Sequence, residues 1–234
     1  MPTLIAFDTS SDLASVSLML PNGDMHTRHS SGVATHSQAI LPMIQALLQT
    51  CRIRLADCHA IAFGCGPGSF TGIRTACGVA QGLAFGTGLP LISVVSLHAM
   101  AETCRKNHHA ADVLAILDAR MKEVYWAQYR YDENGNWRIV TPPCITPPEK
   151  VMPAGNPAAC GNGLIAYADA FAGLPVSAKY EDVMPDSAAI AVLAEAAYCR
   201  GETIAARDAY PLYLRNKVAL TVEERRVIKE GAAC

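Results

Sequence analysis

The spacing of apolar residues changes repeatedly along the chain, and each change predicts an element. Residues 4–7 are an unbroken apolar run, the pattern of a strand buried on both faces. Residues 15–20 alternate polar and apolar positions. Asn22-Gly23 follows as a hairpin turn, with residues 25–29 as the return strand. The polar segment Asp8-Thr9-Ser10-Ser11-Asp12 turns the chain between the first two strands. Over residues 37–51 the period becomes helical, with Ile40, Leu41, Ile44, Leu47, Leu48 and Cys51 on one stripe. Pro42 lies inside that stripe, so it sits in the first turn or kinks the helix. Residues 60–63 are a second buried strand, running into a glycine-rich segment over 64–72. A helix then extends to about Phe85 and is closed by Gly86 and Gly88, before a strand over 91–95.

The second half is less regular. Residues 102–111 are polar, include His108 and His109, and read as a linker. A buried strand follows over 113–117, then an alternating strand over 124–129 and a second hairpin turn at Asn134-Gly135. Residues 141–157 hold six of the fourteen prolines and predict irregular loop. Gly161-Asn162-Gly163 precedes a helix. Residues 186–200 form another, with Asp186 or Ser187 as N-cap, Ile190, Leu193 and Ala197 on one face, and Gly201 past its end. Residues 221–230 are charged and helical in pattern. No repeat with a period of roughly 20–50 residues is visible. The pattern predicts an α/β protein with one unit over residues 1–103 and a smaller α/β unit over 104–234.

Composition excludes several classes. Charged residues are 17% of the chain, against about 25% in an average soluble protein. Nineteen Lys and Arg against 21 Asp and Glu give a net charge of −2, and 51% of residues are hydrophobic. Such a chain is too apolar for disorder and lacks the basic surplus that holds nucleic acid by bulk charge. The charge deficit points either to an unusually large core or to apolar surface reserved for a partner. No apolar stretch reaches the roughly 18 residues of a membrane span, and the start has no basic region of the signal-peptide kind. A cytoplasmic location away from membranes is expected. The nine cysteines form no CxxC pair and predict neither a disulfide framework nor a zinc ribbon.

The sharpest local signal is the segment 64–72. Gly64, Gly66 and Gly68 alternate between a strand and a helix, where glycine permits positive φ and close backbone approach. Two readings stand: amides cradling an anion at a helix N-terminus, or a tight turn with no ligand. The segment has neither the Gly-Lys-Ser/Thr of a Walker loop nor the GxGxxG spacing. The following helix is rich in small residues, Gly72, Thr75, Ala76, Gly78, Ala80, Gly82, Ala84 and Gly86. Interior glycine costs a helix up to about 1 kcal/mol, which close packing of another helix offsets. That helix packs either on its own sheet or, with the helix at 37–51, on another chain. Asp8, Thr9 and Ser10 either face a phosphate or magnesium ion or form an ordinary polar turn. The histidines show no HExxH or HxxxH, no GxSxG elbow occurs, and neither a metal site nor an activated nucleophile is expected. Arg215, Asn216, Lys217, Arg225, Arg226 and Lys229 make the C-terminal end locally basic.

Several motifs occur in an order that resembles the bacterial TsaB (YeaZ) family. They are Ile5-Ala-Phe-Asp-Thr-Ser10, His36-Ser-Gln with Leu41-Pro42, Gly66-Pro-Gly-Ser-Phe-Thr-Gly-Ile-Arg74, Leu117-Asp-Ala-Arg120 with Glu123-Val-Tyr125, and Pro211-Leu-Tyr-Leu-Arg215. The resemblance implies an actin-like, ribonuclease-H-like fold of the ASKHA superfamily in two subdomains. It implies a non-catalytic scaffold in the synthesis of threonylcarbamoyladenosine beside the tRNA anticodon. The implied partners are a TsaD-type transferase, a paralogue of this family, and a TsaE-type ATPase. A homodimer in isolation is implied through the same helices, and tRNA is met indirectly through the complex. The expected partner surface is Ile40, Leu41, Ile44, Leu47, Leu48, Gly72, Thr75, Ala76, Val79, Ala80 and Leu83. ATP or ADP at the interface with the partner is expected to meet Asp8, Thr9, Ser10, Gly66, Gly68 and Ser69, with no cofactor of the chain's own. TsaD-type proteins carry a metal-binding HxxxH after the equivalent of the 91–95 strand. Leu97 and Ala101 stand at those positions here, and His98 is out of register. The same fold also hosts peptidase-like and sugar-kinase-like readings, which the residues do not support.

Overall fold

The computed structural model describes residues 1–31 and 36–215. Three strands open the chain as a meander, β1 (Leu4–Asp8), β2 (Leu13–Met19) and β3 (Met25–Ser31). Then come α1 (His36–Cys51), β4 (Ala60–Gly66), α2 (Phe70–Thr87) and β5 (Leu91–Val95). These strands form one sheet in the order β3-β2-β1-β4-β5, with β4 parallel to β1 and β5 parallel to β4. After α3 (Ser96–His108) a second meander begins: β6 (Asp112–Asp118), β7 (Val124–Tyr131) and β8 (Trp137–Thr146). It continues through β9 (Ala158–Cys160), α4 (Gly163–Ala166), β10 (Ala178–Tyr180) and α5 (Ser187–Cys199). The second sheet has the order β10-β9-β6-β7-β8, with β9 parallel to β6 and β10 parallel to β9.

Taken in chain order, the second sheet repeats the first: a three-stranded meander with two parallel strands added beside its first strand. This is the actin-like, ribonuclease-H-like α/β fold. The duplication lies in topology alone. In the second copy the last two strands shrink to three residues each, and the one-turn helix Pro148–Lys150 stands between the meander and β9.

The two units share helices. On one face of the first sheet, α1 and α2 bury Ile40, Ile44, Leu47, Ala76 and Ala80 against Ile5, Phe7, Val16, Leu18, Ile61 and Phe63. On the other face lies α5, from the second half of the chain. Its Ile190, Ala191 and Ala194 pack on Leu4, Ala6, Ala60, Ala62 and Ile92. The small residues on both sides let the helix lie close to the sheet. Polar pairs fix its start: Asp186 caps Ala188 N–H at 2.7 Å, Ser187 N–H donates to Ser15 Oγ at 2.9 Å, and the Ser17 and Ser187 hydroxyls pair at 2.7 Å. In exchange, α3 packs Leu97, Met100, Ala101 and Cys104 on Val113, Ala115, Leu117, Ala127 and Tyr129 of the second sheet.

Several expected boundaries change. The boundary drawn after residue 103 falls inside α3, and α5 returns to the first sheet, so no single cut separates two units. Residues 102–111 are largely helix rather than linker. Their polarity is internal: buried Glu102 holds Arg105 at 2.6 Å and accepts from Trp137 Nε1 at 2.9 Å. Residues 141–146 continue β8 rather than forming loop, and Pro142 and Pro143 are tolerated there because β8 is an edge strand. The helix after Gly161 is a single turn. Pro42 falls in the second turn of α1, on its exposed side. Gly86 lies within α2, and Gly88 caps it with φ 75°. Residues 216–234, with the basic residues from Asn216 onward and the charged stretch 221–230, lie outside the described residues. Among the described residues no helix is long and apolar enough to cross a membrane.

Ile190 is fully buried in the first turn of the exchanged helix. Ile190→Ala is expected to cost about 2–5 kcal/mol. Because α5 covers the first sheet and touches α3, urea melts followed separately in each half should shift together.

Candidate functional site

The site region is built where β1 ends. Asp8 is fully buried, and its Oδ1 accepts from the Ser10 N–H and the Ser10 hydroxyl, both at 2.7 Å. Its Oδ2 accepts from the Ser96 hydroxyl at 3.1 Å. Burial pushes the Asp8 pKa up, the hydrogen bonds from Ser10 and Ser96 oppose the rise, and the charge of Asp186 adds to it. No cation among the described residues pairs with this carboxylate.

The glycine segment presses directly on this turn. A Cβ on Gly64 would stand 1.7 Å from Asp8 Oδ2, one on Gly68 2.3 Å from the Ser10 carbonyl oxygen, and one on Gly72 1.8 Å from the Thr9 carbonyl oxygen. The Ser69 N–H donates to the Ser10 carbonyl and the Thr9 hydroxyl to the Gly72 carbonyl, both at 2.7 Å. The alternating glycines therefore serve close packing within the chain, Gly64 on the Asp8 carboxylate and Gly68 on the Ser10 backbone, as a tight turn requires. Asp8 and Thr9 are sealed beneath it, and Gly66, at φ 104°, packs against Ile73 and the Leu212 carbonyl. Of the six expected nucleotide contacts, only Ser10, Gly68 and Ser69 line an open cleft.

That cleft, of about 340 Å³, lies between the two units and is walled opposite by Asp118, Arg120, Asn162 and Arg215. Arg120, Met121 and Lys122 all hold left-handed backbone, with φ of 62°, 55° and 60°. Each such residue costs on the order of 1 kcal/mol. The turn is held by Asp118, which accepts from Arg120 N–H at 2.8 Å, and by Arg215, which donates to the Arg120 carbonyl at 3.3 Å. Both arginines already hold carboxylates, Arg120 with Asp118 at 3.4 Å and Arg215 with Glu123. With the Ser69 amide taken and both cleft cations paired, the residues present do not fit a nucleotide triphosphate held by this chain alone. The sequence reading missed Asn162, whose Oδ1 accepts from Asp118 N–H at 3.0 Å, although the Gly161-Asn162-Gly163 punctuation marked its position.

The second candidate surface is the outer side of α1 and α2. Six of the eleven residues expected there face inward. Ile40, Ile44, Leu47, Ala76 and Ala80 are core against the first sheet, and Gly72 is pinned to Thr9. The reason is geometric: the apolar stripe of each helix is needed to cover its own sheet. Leu41 is 47% exposed, while Leu48, Thr75, Val79 and Leu83 are half-buried. Leu41, Gln45, Leu48, Ile53 and Leu83 line a groove of about 430 Å³ between the helices. Farther out, Gly78, Gly82 and Gly86 recur every four residues along α2, and a Cβ on any of them would meet no described residue within 4 Å. Phe85 beside them is 89% exposed.

His98 stacks on Tyr129 at 4.6 Å, with Trp137 edge-on at 5.6 Å. Burial drives its pKa down to about 4. Burial likewise pushes the Cys65 thiol up to about 12, the reverse of an activated nucleophile. Among the described residues no group of three or more His, Cys, Asp or Glu could hold a metal ion.

Two measurements test this geometry. Because folding raises the Asp8 pKa, the folded state binds that proton more readily than the unfolded chain. Stability should therefore gain from this group as pH falls through the raised pKa toward the ordinary carboxylate value. Asp8→Asn should remove that gain, seen as a flatter profile of melting temperature on the acid side of neutral pH. Calorimetric titration of ATP into the chain alone should give no binding tighter than about 1 mM.

A family model described as TsaD, tRNA N6-adenosine threonylcarbamoyltransferase, matches residues 22–228. The Escherichia coli K12 protein named tRNA threonylcarbamoyladenosine biosynthesis protein TsaB is 39% identical over 223 residues, spanning 92% of this chain and 96% of its own. The Haemophilus influenzae protein of the same name is 36% identical over 226 residues, 92% of this chain and 94% of its own. The solved structure of YeaZ from Pseudomonas aeruginosa superimposes with a TM-score of 0.85 at 36% identity, covering 92% of this chain and all of that one. With this extent of match in sequence and fold, the chain belongs to the TsaB family.

Proposed function

We propose that this chain is a non-catalytic docking subunit in tRNA threonylcarbamoyladenosine synthesis. Its outer α1–α2 surface receives a TsaD-type transferase, and a TsaE-type ATPase joins the pair. The observation that carries the docking role is the row Gly78, Gly82 and Gly86 beside exposed Phe85. A glycine inside an exposed helix costs about 0.5–1 kcal/mol relative to alanine. Among the described residues nothing approaches those three positions, so the cost has no return there. It is offset when another helix lies against the row, because missing side chains let the axes approach. Without a partner the same surface serves a second copy of this chain.

Support for a non-catalytic role comes from the site region. Leu97 and Ala101, where the resemblance places the metal-binding histidines of TsaD-type proteins, are both fully buried apolar residues of α3. Asp8 is sealed under the glycine segment. Among the described residues the cleft lining sets Arg120 and Arg215 against Asp12 and Asp118, with no cationic excess of the kind an independent RNA binder uses, so tRNA is met through the partner. A nucleotide at the cleft would need groups the partner supplies.

Gly82→Ala should stabilise the isolated chain by about 0.5–1 kcal/mol. Gly82→Arg should leave its melting temperature near that of the parent yet abolish co-purification with the TsaD-type protein. Reconstituted threonylcarbamoyladenosine formation should fall to the level seen without this chain. A Gly82→Arg chain that still associates and supports full modification would refute the docking surface.

A further inference from the structure

Arg74, in the second turn of α2, carries a charge that the described chain does not neutralise. Its guanidinium carbon lies 3.7 Å over the Phe70 ring and 5.6 Å from the Tyr213 ring centroid. Its Nε donates to the Tyr213 hydroxyl at 2.7 Å. The two rings are themselves 5.9 Å apart and exposed, at 39% and 45%. Among the described residues no carboxylate lies within ion-pair distance of Arg74, whereas Arg105, Arg120, Arg130 and Arg215 each hold one. The terminal amino groups of Arg74 make no hydrogen bond to any described residue.

A cation held between aromatic faces loses little conformational freedom when it binds, because its rotamer is already selected. What stays open is the planar fork of N–H donors, which matches one carboxylate in bidentate fashion. The position matters as well. Phe70, Arg74, Gly78 and Gly82 follow one another at four-residue steps, so Arg74 shares the outer face of α2 with the glycine row, with Gly82 roughly 12 Å along the axis. A single unpaired cation with no second free cation described beside it suits the single charge of a carboxylate better than the double charge of a phosphate.

We propose that Arg74 is a preformed carboxylate anchor, held by Phe70 and Tyr213 to receive an Asp or Glu side chain of the partner that packs along α2. This rests on the docking reading above and adds to it the chemistry of one contact. Dissociation constants of this chain with its TsaD-type partner, measured by calorimetry at two salt concentrations with and without ADP, test it. Arg74→Glu should weaken the complex about tenfold or more and remove most of its salt dependence. Arg74→Lys should fall between, since an ammonium keeps the charge and loses the fork. One Asp→Lys or Glu→Lys change in the partner should restore binding to Arg74→Glu. Unchanged affinity for Arg74→Glu while Gly82→Arg abolishes binding overturns the anchor and leaves the docking surface standing. Unchanged affinity for both overturns the docking reading itself. Loss of ADP retention by Arg74→Glu with protein affinity intact assigns Arg74 to a phosphate and overturns the carboxylate.

Discussion

The β1–β2 turn and the glycine segment that leads into α2 approach each other too closely for any side chain to stand between them. Three glycines lie on the Asp8 carboxylate and on the carbonyls of Ser10 and Thr9, at separations no side chain would permit. Two hydrogen bonds of 2.7 Å close the contact from both sides. Everything outward follows from it. The contact sets where α2 starts and how it is rotated on the sheet, and so which residues reach solvent. Any Cβ at Gly64, Gly68 or Gly72 would push the helix off its sheet and turn the outer row with it. The same contact places the Ser69 amide on a backbone carbonyl, where an anion-binding loop would leave it free.

How far this was legible in the sequence depends on what each residue reports. Strands β1 and β4 are unbroken apolar runs because α1, α2 and α5 cover both faces of the first sheet, and burial on two sides leaves a plain trace. Helix α3 left a misleading one. Glu102, Arg105 and Trp137 satisfy one another inside the structure, so a buried element carries the composition of a linker. The exchange of α3 and α5 has no local signature, since it depends on which sheet a helix meets rather than on its own pattern. On α1 and α2 the apolar stripe was plain, but a stripe does not say what it faces. Ile40, Ile44 and Ala80 turn to the sheet, while the outer face is marked by glycines, whose lack of a side chain leaves no hydropathic trace. The glycine segment announced a close backbone approach, and only the fold shows that the approaching group is the chain itself.

The low charge content resolves in the same terms. Both faces of the first sheet are covered by helices, and both sheets bury continuous clusters, so much of the apolar excess is core. Of the large apolar side chains exposed among the described residues, Leu41 and Phe85 lie on α1 and α2 and Phe70 with Tyr213 around one arginine, while Met121, Ile139, Met152, Ile165 and Tyr210 are scattered over the rest of the surface.

The exchanged helices also bear on how the chain is made. The first sheet is complete once β5 ends at Val95, yet the helix that covers its second face begins at Ser187. At a synthesis rate of roughly 5–20 residues per second, that face waits about 5–20 seconds on the ribosome for its cover. Through that interval Leu4, Ala6, Ala60, Ala62 and Ile92 lack their cover on the nascent sheet, so the chain closes late and as a whole.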